Sequence, residues 1–162
     1  MNNTVMFSSA SDEWYTPQDL YDRLHAEFDF EIDLAAADEN TKCSWFYSKT
    51  SNSLKKDWSG QFDRGWLNPP YSRGLCAKFI AKAAEERRKG FLTVMLLPSR
   101  TDTKAFHTHI YDANIWQPRE GVEIRLLPGR LKFGGSKNSA PFASMIVIFR
   151  PDVELKDGIL AG

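Results

Sequence analysis

Asn68-Pro69-Pro70-Tyr71 places a carboxamide, two prolines and a phenol in four consecutive positions. An aromatic amine is a poor nucleophile, because its lone pair is delocalised into the ring. Two acceptors aimed at its two N–H bonds draw the nitrogen towards sp³ geometry and localise that pair. The Asn68 side-chain oxygen can be one acceptor, and the Pro69 carbonyl can be the second. Neither proline carries an N–H to compete with the incoming amine. A following proline also holds Asn68 extended. Preorganised acceptors of this kind lower a barrier electrostatically. Tyr71 can stack on the substrate ring, a contact of roughly 1–3 kcal/mol per base in nucleic-acid sites. Once cationic, the amine sheds its proton easily, so no catalytic His or Cys is required. Taken alone, the tetrad points to methylation of an amine on some planar substrate. The competing readings are a rigid turn or a proline-rich ligand motif, and the latter belongs in a disordered tail.

The flanking residues argue against a tail. Gly65-Trp66-Leu67 reads as a short buried strand ending at Asn68, and Leu75 to Lys89 reads as a helix. In that helix Phe79, Ile80 and Ala83 are expected to face inward and Glu85 to Lys89 to face water. Upstream, Thr16-Pro17 is a helix-start signal, with Thr as cap and Pro at the first helical position. Leu20, Leu24 and Phe28 then mark one helical face. Phe30 to Leu34 alternates and reads as a strand ending near Asp33 and Ala35. Glu39 to Asp57 is polar and expected to be irregular, anchored by the aromatic run Trp45-Phe46-Tyr47. Phe91 to Leu97 is a continuous apolar run of the kind found in central parallel strands. A helix capped by Thr101 or Asp102 is expected to follow, as far as about Tyr111. Further strands are expected at Asn114 to Trp116, Glu123 to Leu127 and Phe142 to Phe149. This order predicts an α/β fold, with a mostly parallel sheet and an antiparallel edge. In such sheets ligands bind beyond the carboxyl ends of the strands. Three polar segments fall there, beginning at Asp33, at Asn68 and at Pro98-Ser99-Arg100.

Length and composition set the outer bounds. The 162 residues fit one domain, expected over residues 13–152, with an arm at 1–12 and a tail at 153–162. No apolar run approaches the roughly 18 residues of a membrane span. The polar start lacks a signal-peptide pattern, so a cytoplasmic location is expected. Cys43 and Cys76 form no C-x-x-C pair, and His25, His107 and His109 are scattered. A disulfide framework and a metal site are therefore not expected. Formal net charge is zero, unlike many nucleic-acid binders. The charge is unevenly spread, however, with a basic excess between Arg100 and Lys137 that permits a local basic face.

The chain resembles the phage-type, Dam-like DNA N6-adenine methyltransferases. The resemblance rests on Trp14-Tyr15-Thr16-Pro17, Phe30 to Ala36, Leu54-Lys55-Lys56-Asp57-Trp58, Trp66 to Ser72, Leu96 to Thr103, Pro128 to Phe133 and Ala140-Pro141-Phe142. Their order and spacing cover nearly the whole chain. The resemblance implies a compact Rossmann-like class I methyltransferase fold, with S-adenosylmethionine as cofactor. It implies adenine in double-stranded DNA as substrate, flipped from its pair, with GATC as a candidate target. A phage or prophage protein acting in a bacterial host would follow, as monomer or homodimer. By position, Asn68, Pro69, Pro70 and Tyr71 would be the catalytic loop, with Asn68 also meeting the cofactor. Tyr15, Thr16 and Pro17 would belong to the N-terminal cofactor motif, with the helix N-terminus receiving the methionine carboxylate. Asp33 would face the cofactor's amine or ribose. Ala35 would permit close backbone approach, and Asn52 would contact the cofactor's adenine. Ser72, Arg73, Arg100, Arg130, Lys132 and Lys137 would meet DNA.

Two departures from larger methyltransferases bear on this. No Gly-x-Gly follows Asp33, and only 34 residues separate Asp33 from Asn68. The second and third strands of a larger fold must be shortened or lost. Asn-Pro-Pro-Tyr also occurs in enzymes that methylate glutamine side chains or RNA bases, but those usually carry a glycine-rich cofactor loop. A catalytically inactive DNA-binding or anti-restriction protein is the remaining alternative, and the intact tetrad argues against it.

Overall fold

The computed structural model describes residues 14–72 and 74–152. The expected arm, the expected tail and Arg73 lie outside the described residues. The first helix, α1 (Gln18–Phe28), buries Leu20, Leu24 and Phe28 as the spacing predicts, and Tyr21 with them. It starts one residue later than the Thr-Pro signal suggests. Pro17 is the N-cap and no side chain caps the helix; the Thr16 hydroxyl is bonded elsewhere.

Six strands follow in one sheet: β1 (Ile32–Asp33), β2 (Trp45–Phe46), β3 (Arg64–Leu67), β4 (Leu92–Pro98), β7 (Val122–Leu126) and β8 (Ser144–Phe149). Their order is β2-β1-β3-β4-β8-β7. β1, β2, β3 and β4 pair in parallel, whereas β8 pairs antiparallel with both β4 and β7. The antiparallel pairings sit at one end of the sheet, as expected, and β8 is the single reversed strand. The expected strand from Phe30 shrinks to two residues, although Glu31 N and Leu34 N still donate to Arg64 and Trp66 carbonyls. The short Asp33-to-Asn68 interval is met by reducing β2 to two residues. Two 3₁₀ turns, Ser53–Lys55 and Trp58–Gly60, lie within it.

Side-chain alternation divides the core between the two faces of the sheet. Met95 and Leu97 pack with Phe79, Ile80 and Ala83 of α2 (Leu75–Arg88). Val94 and Leu96 pack with Leu20, Leu24 and Phe28 of α1. Gly65 is required where β3 crosses this packing. A Cβ there would stand 2.8 Å from Leu34 Cδ1 and from Phe91 Cζ.

Several expectations are corrected. Glu86 does not face water; it is fully buried. Its Oε1 accepts from the Trp58 and Ser59 amides at 3.1 and 3.2 Å. Its Oε2 accepts from Lys82 and Lys89 at 2.8 and 3.1 Å. The buried charge is thus matched by four donors, and it ties the second 3₁₀ turn to α2. Trp45 is no anchor, being 64% exposed, because edge strand β2 turns it outward. α3 (Lys104–His109) is shorter than expected and is capped by Thr103, which accepts from Phe106 N, not by Thr101 or Asp102. Asn114 to Trp116 is not a strand. It is the turn of a hairpin between β5 (Tyr111–Asp112) and β6 (Gln117–Pro118). There the Asp112 carboxylate accepts from Asn114 N at 2.9 Å, an Asx turn that breaks the ladder. Phe142 lies before β8, which begins at Ser144. No helix of the described residues is long and apolar enough to cross a membrane.

Candidate active site

A cleft of about 550 Å³ opens at the carboxyl ends of β1 and β3. β2 lies on one side of β1 and β3 on the other, so this is where strand order reverses and a crevice must form. Tyr15, Thr16, Asp33, Ala35, Asn52, Asn68 and Pro70 line it. The fold therefore gathers most of the residues expected to meet a cofactor. Pro17 is the exception. It stands outside the lining, with its carbonyl accepting from Tyr21 N at 3.2 Å to open α1.

Asp33 closes β1 and is only 3% exposed. Its Oδ1 accepts from Ala35 N at 3.3 Å and its Oδ2 from Lys42 N at 3.0 Å. Burial pushes its carboxyl up to about 6, against the pull of these two amides. The Lys42 ammonium is spent on Gln18 Oε1 at 2.7 Å. Among the described residues no side-chain cation pairs with Asp33. At neutral pH the cleft thus holds a buried carboxylate that no side-chain cation among the described residues contacts directly, although the Lys42 charge also favours its ionised form. This suits a ligand carrying an amine or sulfonium.

Asn68 follows β3 directly. Its amide is held from both sides. Nδ2 donates to the Trp14 carbonyl and to Thr16 Oγ1, the latter at 3.0 Å. Oδ1 accepts from the Tyr71 hydroxyl at 2.8 Å. The Pro69 carbonyl accepts no backbone hydrogen bond among the described residues. Ser72 O accepts from Leu75 N and Cys76 N and leads the loop into α2.

Tyr71 departs from the expected stacking position. It is 6% exposed, and its ring packs edge-on to Phe142 and Phe133, with centroids at 5.8 and 6.5 Å. Its hydroxyl also reaches the Leu96 carbonyl at 3.1 Å. Burial raises its pKa well above the ordinary phenol value, so it is a neutral donor. The physical reason for its position is the aromatic cluster of Trp14, Phe133 and Phe142, which a sequence pattern does not assemble.

The chain between β7 and β8 folds over this cluster. Gly134 N donates to the Tyr15 carbonyl at 2.9 Å, and Trp14 meets Phe133 at 5.2 Å between centroids. Phe133 is 2% exposed and Leu131 half-buried, while Arg130 and Lys132 are exposed. Lys137 is exposed on the same segment, and Arg100 is exposed after β4. The Arg100 charge opposes the upward shifts of Tyr71 and Cys76, which places it near the Asn68-to-Tyr71 loop. None of these four cations forms an ion pair among the described residues. Arg73 lies outside the described residues. Two contacts of Asn68 escaped the sequence reading, although Thr16 itself was expected at the cofactor. Trp14 acts through its main-chain carbonyl, which leaves no sequence signature, and Thr16 acts on Asn68 instead of capping α1. Among the described residues no cluster of His, Cys, Asp or Glu could hold a metal.

A mostly parallel sheet with one reversed strand, a cleft at its switch point and an Asn-Pro-Pro-Tyr loop at that cleft define a Rossmann-like methyltransferase domain. Comparison with known proteins narrows the class. The family model described as DNA N-6-adenine-methyltransferase (Dam) matches residues 3–159, and the chain belongs to that family. It is 38% identical over 96 residues to the DNA N-6-adenine-methyltransferase of Escherichia phage T1, a match covering 59% of this chain and 39% of that protein. It is 30% identical over 146 residues to the DNA N-6-adenine-methyltransferase of Haemophilus phage HP1, covering 88% of this chain and 81% of that one. The chain thus spans less than half the length of the phage T1 relative.

Proposed function

We propose that the chain transfers the methyl group of S-adenosylmethionine to the N6 amine of an adenine flipped out of double-stranded DNA. The observation that carries this reading is the amide of Asn68, held by three partners at the carboxyl end of β3 and facing a cleft that also holds Asp33. The cofactor fits on three counts. The cleft volume of about 550 Å³ lies inside the usual range of roughly 300–1,000 Å³ for small-ligand pockets. Asp33 offers a buried negative charge to a positive ligand. Ala35 and Ala36 leave the backbone open at the floor of the cleft. Asp33 would hold the amine end, Tyr15 and Thr16 would lie along the methionine portion, and Asn52 would meet the adenine. When bound, the cofactor supplies an electrophilic methyl group.

The residues of the chain do the rest. A carboxamide oxygen has two acceptor sites. Tyr71 takes one at Asn68 Oδ1, and the other receives one N–H of the adenine amine. The Pro69 carbonyl receives the second. These acceptors localise the nitrogen lone pair, and the cationic product loses its proton to water without a dedicated base. Arg100, Arg130, Lys132 and Lys137, without an ion pair among the described residues, form a basic rim suited to phosphates. Ser72 and Arg73 would extend that contact from the catalytic loop. The protein would act in the cytoplasm of a bacterial host.

The test is methylation of plasmid DNA by the purified chain, followed by mapping of the modified bases. N6-methyladenine at a defined sequence, with GATC examined first, supports the reading. Methyl transfer only to RNA or protein, or none at all, overturns it.

A further inference from the structure

We propose that Thr16 is a positioning residue for Asn68. Its hydroxyl, together with the Trp14 carbonyl, holds the amide so that Oδ1 and not Nδ2 is turned to the substrate amine. The inference rests on the function proposed above.

The two ends of a carboxamide have nearly the same shape and opposite hydrogen-bonding sense. Turned by half a rotation, Asn68 would present a donor to an amine that also donates. Its partners must therefore decide the orientation. Tyr71 cannot do so alone. Its hydroxyl has one proton, and Leu96 O at 3.1 Å competes with Asn68 Oδ1 at 2.8 Å for it. A hydroxyl would also accept from a turned amide. The discrimination lies on the Nδ2 side, where the Trp14 carbonyl can only accept. Thr16 Oγ1 supplies the second acceptor at 3.0 Å, so both amide protons are engaged. Thr16 is 6% exposed, so its bond to Asn68 is a buried one. The hydroxyl is available because no side chain caps α1. Of the two Nδ2 partners, Thr16 alone is a side chain, so it alone can be altered without changing the fold of the main chain.

The experiment uses the full chain with Thr16→Val, which keeps the shape and removes the acceptor, Thr16→Ser, which keeps the acceptor, and Thr16→Ala. Single-turnover methylation of a duplex oligonucleotide is read beside cofactor affinity by calorimetry. Exchange of the Asn68 side-chain amide protons with water is followed by NMR. Loss of one buried hydrogen bond predicts a rate about tenfold lower for Thr16→Val. DNA affinity should stay within about twofold, and faster amide exchange should accompany the loss. Cofactor affinity should fall by much less than the rate, because the Thr16 hydroxyl is engaged by Asn68 and meets the methionine portion only by packing. Thr16→Ala should behave alike, which separates the loss from any packing fault of valine. Thr16→Ser should restore both rate and slow exchange. A Thr16→Val rate equal to that of the parent overturns the proposal. So does a serine variant as slow as valine, or a fall in cofactor affinity as large as the fall in rate. The exchange measurement stands without activity. If the parent methylates no adenine, the proposed function fails, and unchanged exchange in Thr16→Val would overturn the role of Thr16 separately.

Discussion

The hydroxyl of Tyr71 donates to Oδ1 of Asn68 at 2.8 Å. The last residue of the tetrad therefore holds the first, from inside an aromatic cluster. This changes the meaning of the motif. Tyr71 is part of the frame that presents the acceptor, and its ring is already packed against protein.

Asn68→Ala removes that acceptor. Methyl transfer should fall by about 10²–10³ or more in kcat, the usual loss for a preorganised polar group that acts in the transition state. Cofactor affinity should stay within a few-fold, because Asp33 and the rest of the cleft are intact. Isothermal calorimetry beside a turnover assay checks both. Unchanged turnover would refute the mechanism.

Tyr71→Phe keeps the ring and deletes the bond. Stability should drop by about 1 kcal/mol, since the Leu96 carbonyl loses a buried donor. Turnover should fall less than in Asn68→Ala. Tyr71→Ala leaves a hole among Phe133, Phe142 and Trp14 and should cost about 3–5 kcal/mol. Urea denaturation of both variants separates the hydroxyl from the ring.

Asp33 makes cofactor binding sensitive to acid. Its carboxyl, raised by burial to about 6, binds a proton more readily in the folded chain than in the unfolded one. Without ligand, it favours the folded state most below about pH 4, and that contribution is lost as pH rises through about 6. The ionised form is the one that pairs with a positive ligand. Affinity for S-adenosylmethionine should therefore rise from pH 5 to pH 7, and Asp33→Asn should bind weakly with no such slope. Equilibrium binding across that range is the measurement.

Arg130→Ala and Lys132→Ala should each weaken DNA binding on all sequences. Each should reduce the slope of log affinity against log salt by roughly 1. Fluorescence anisotropy at several salt concentrations reads the slope, and an unaltered slope removes that residue from the phosphate contacts.

Glu86→Ala leaves Lys82 without its closest buried partner and strips the Trp58 and Ser59 amides of their acceptor. A loss of about 3–5 kcal/mol is expected. It should appear as a lower denaturation midpoint with cofactor affinity reduced, because the turn it holds carries Trp58 beside the Ser53–Lys55 turn, whose Ser53 carbonyl accepts from Trp58 Nε1 at 2.9 Å.

The amino-acid sequence by itself determined the first helix, the inner strand and the place of the loop. Leu20, Leu24 and Phe28 recur at helical spacing, and the run from Phe91 to Leu97 is too apolar for anything but an inner strand. These are local patterns, and burial follows them directly. The tetrad also announced its chemistry, because that chemistry belongs to side-chain type and to the missing N–H of proline. Only the tertiary structure decided how the tetrad is held. Thr16 reads as a helix cap because a cap needs only its neighbours, yet it bonds Asn68 across 52 positions of chain. Glu86 reads as a surface residue beside Lys82 and Lys89, since nothing near it in the chain reveals the Trp58 and Ser59 amides that folding brings to it. Tyr71 reads as a stacking platform until Phe133 and Phe142 close over it. In each case the deciding partner lies far along the chain, and a hydrogen bond or ring contact made by folding outweighs the preference of the residue alone.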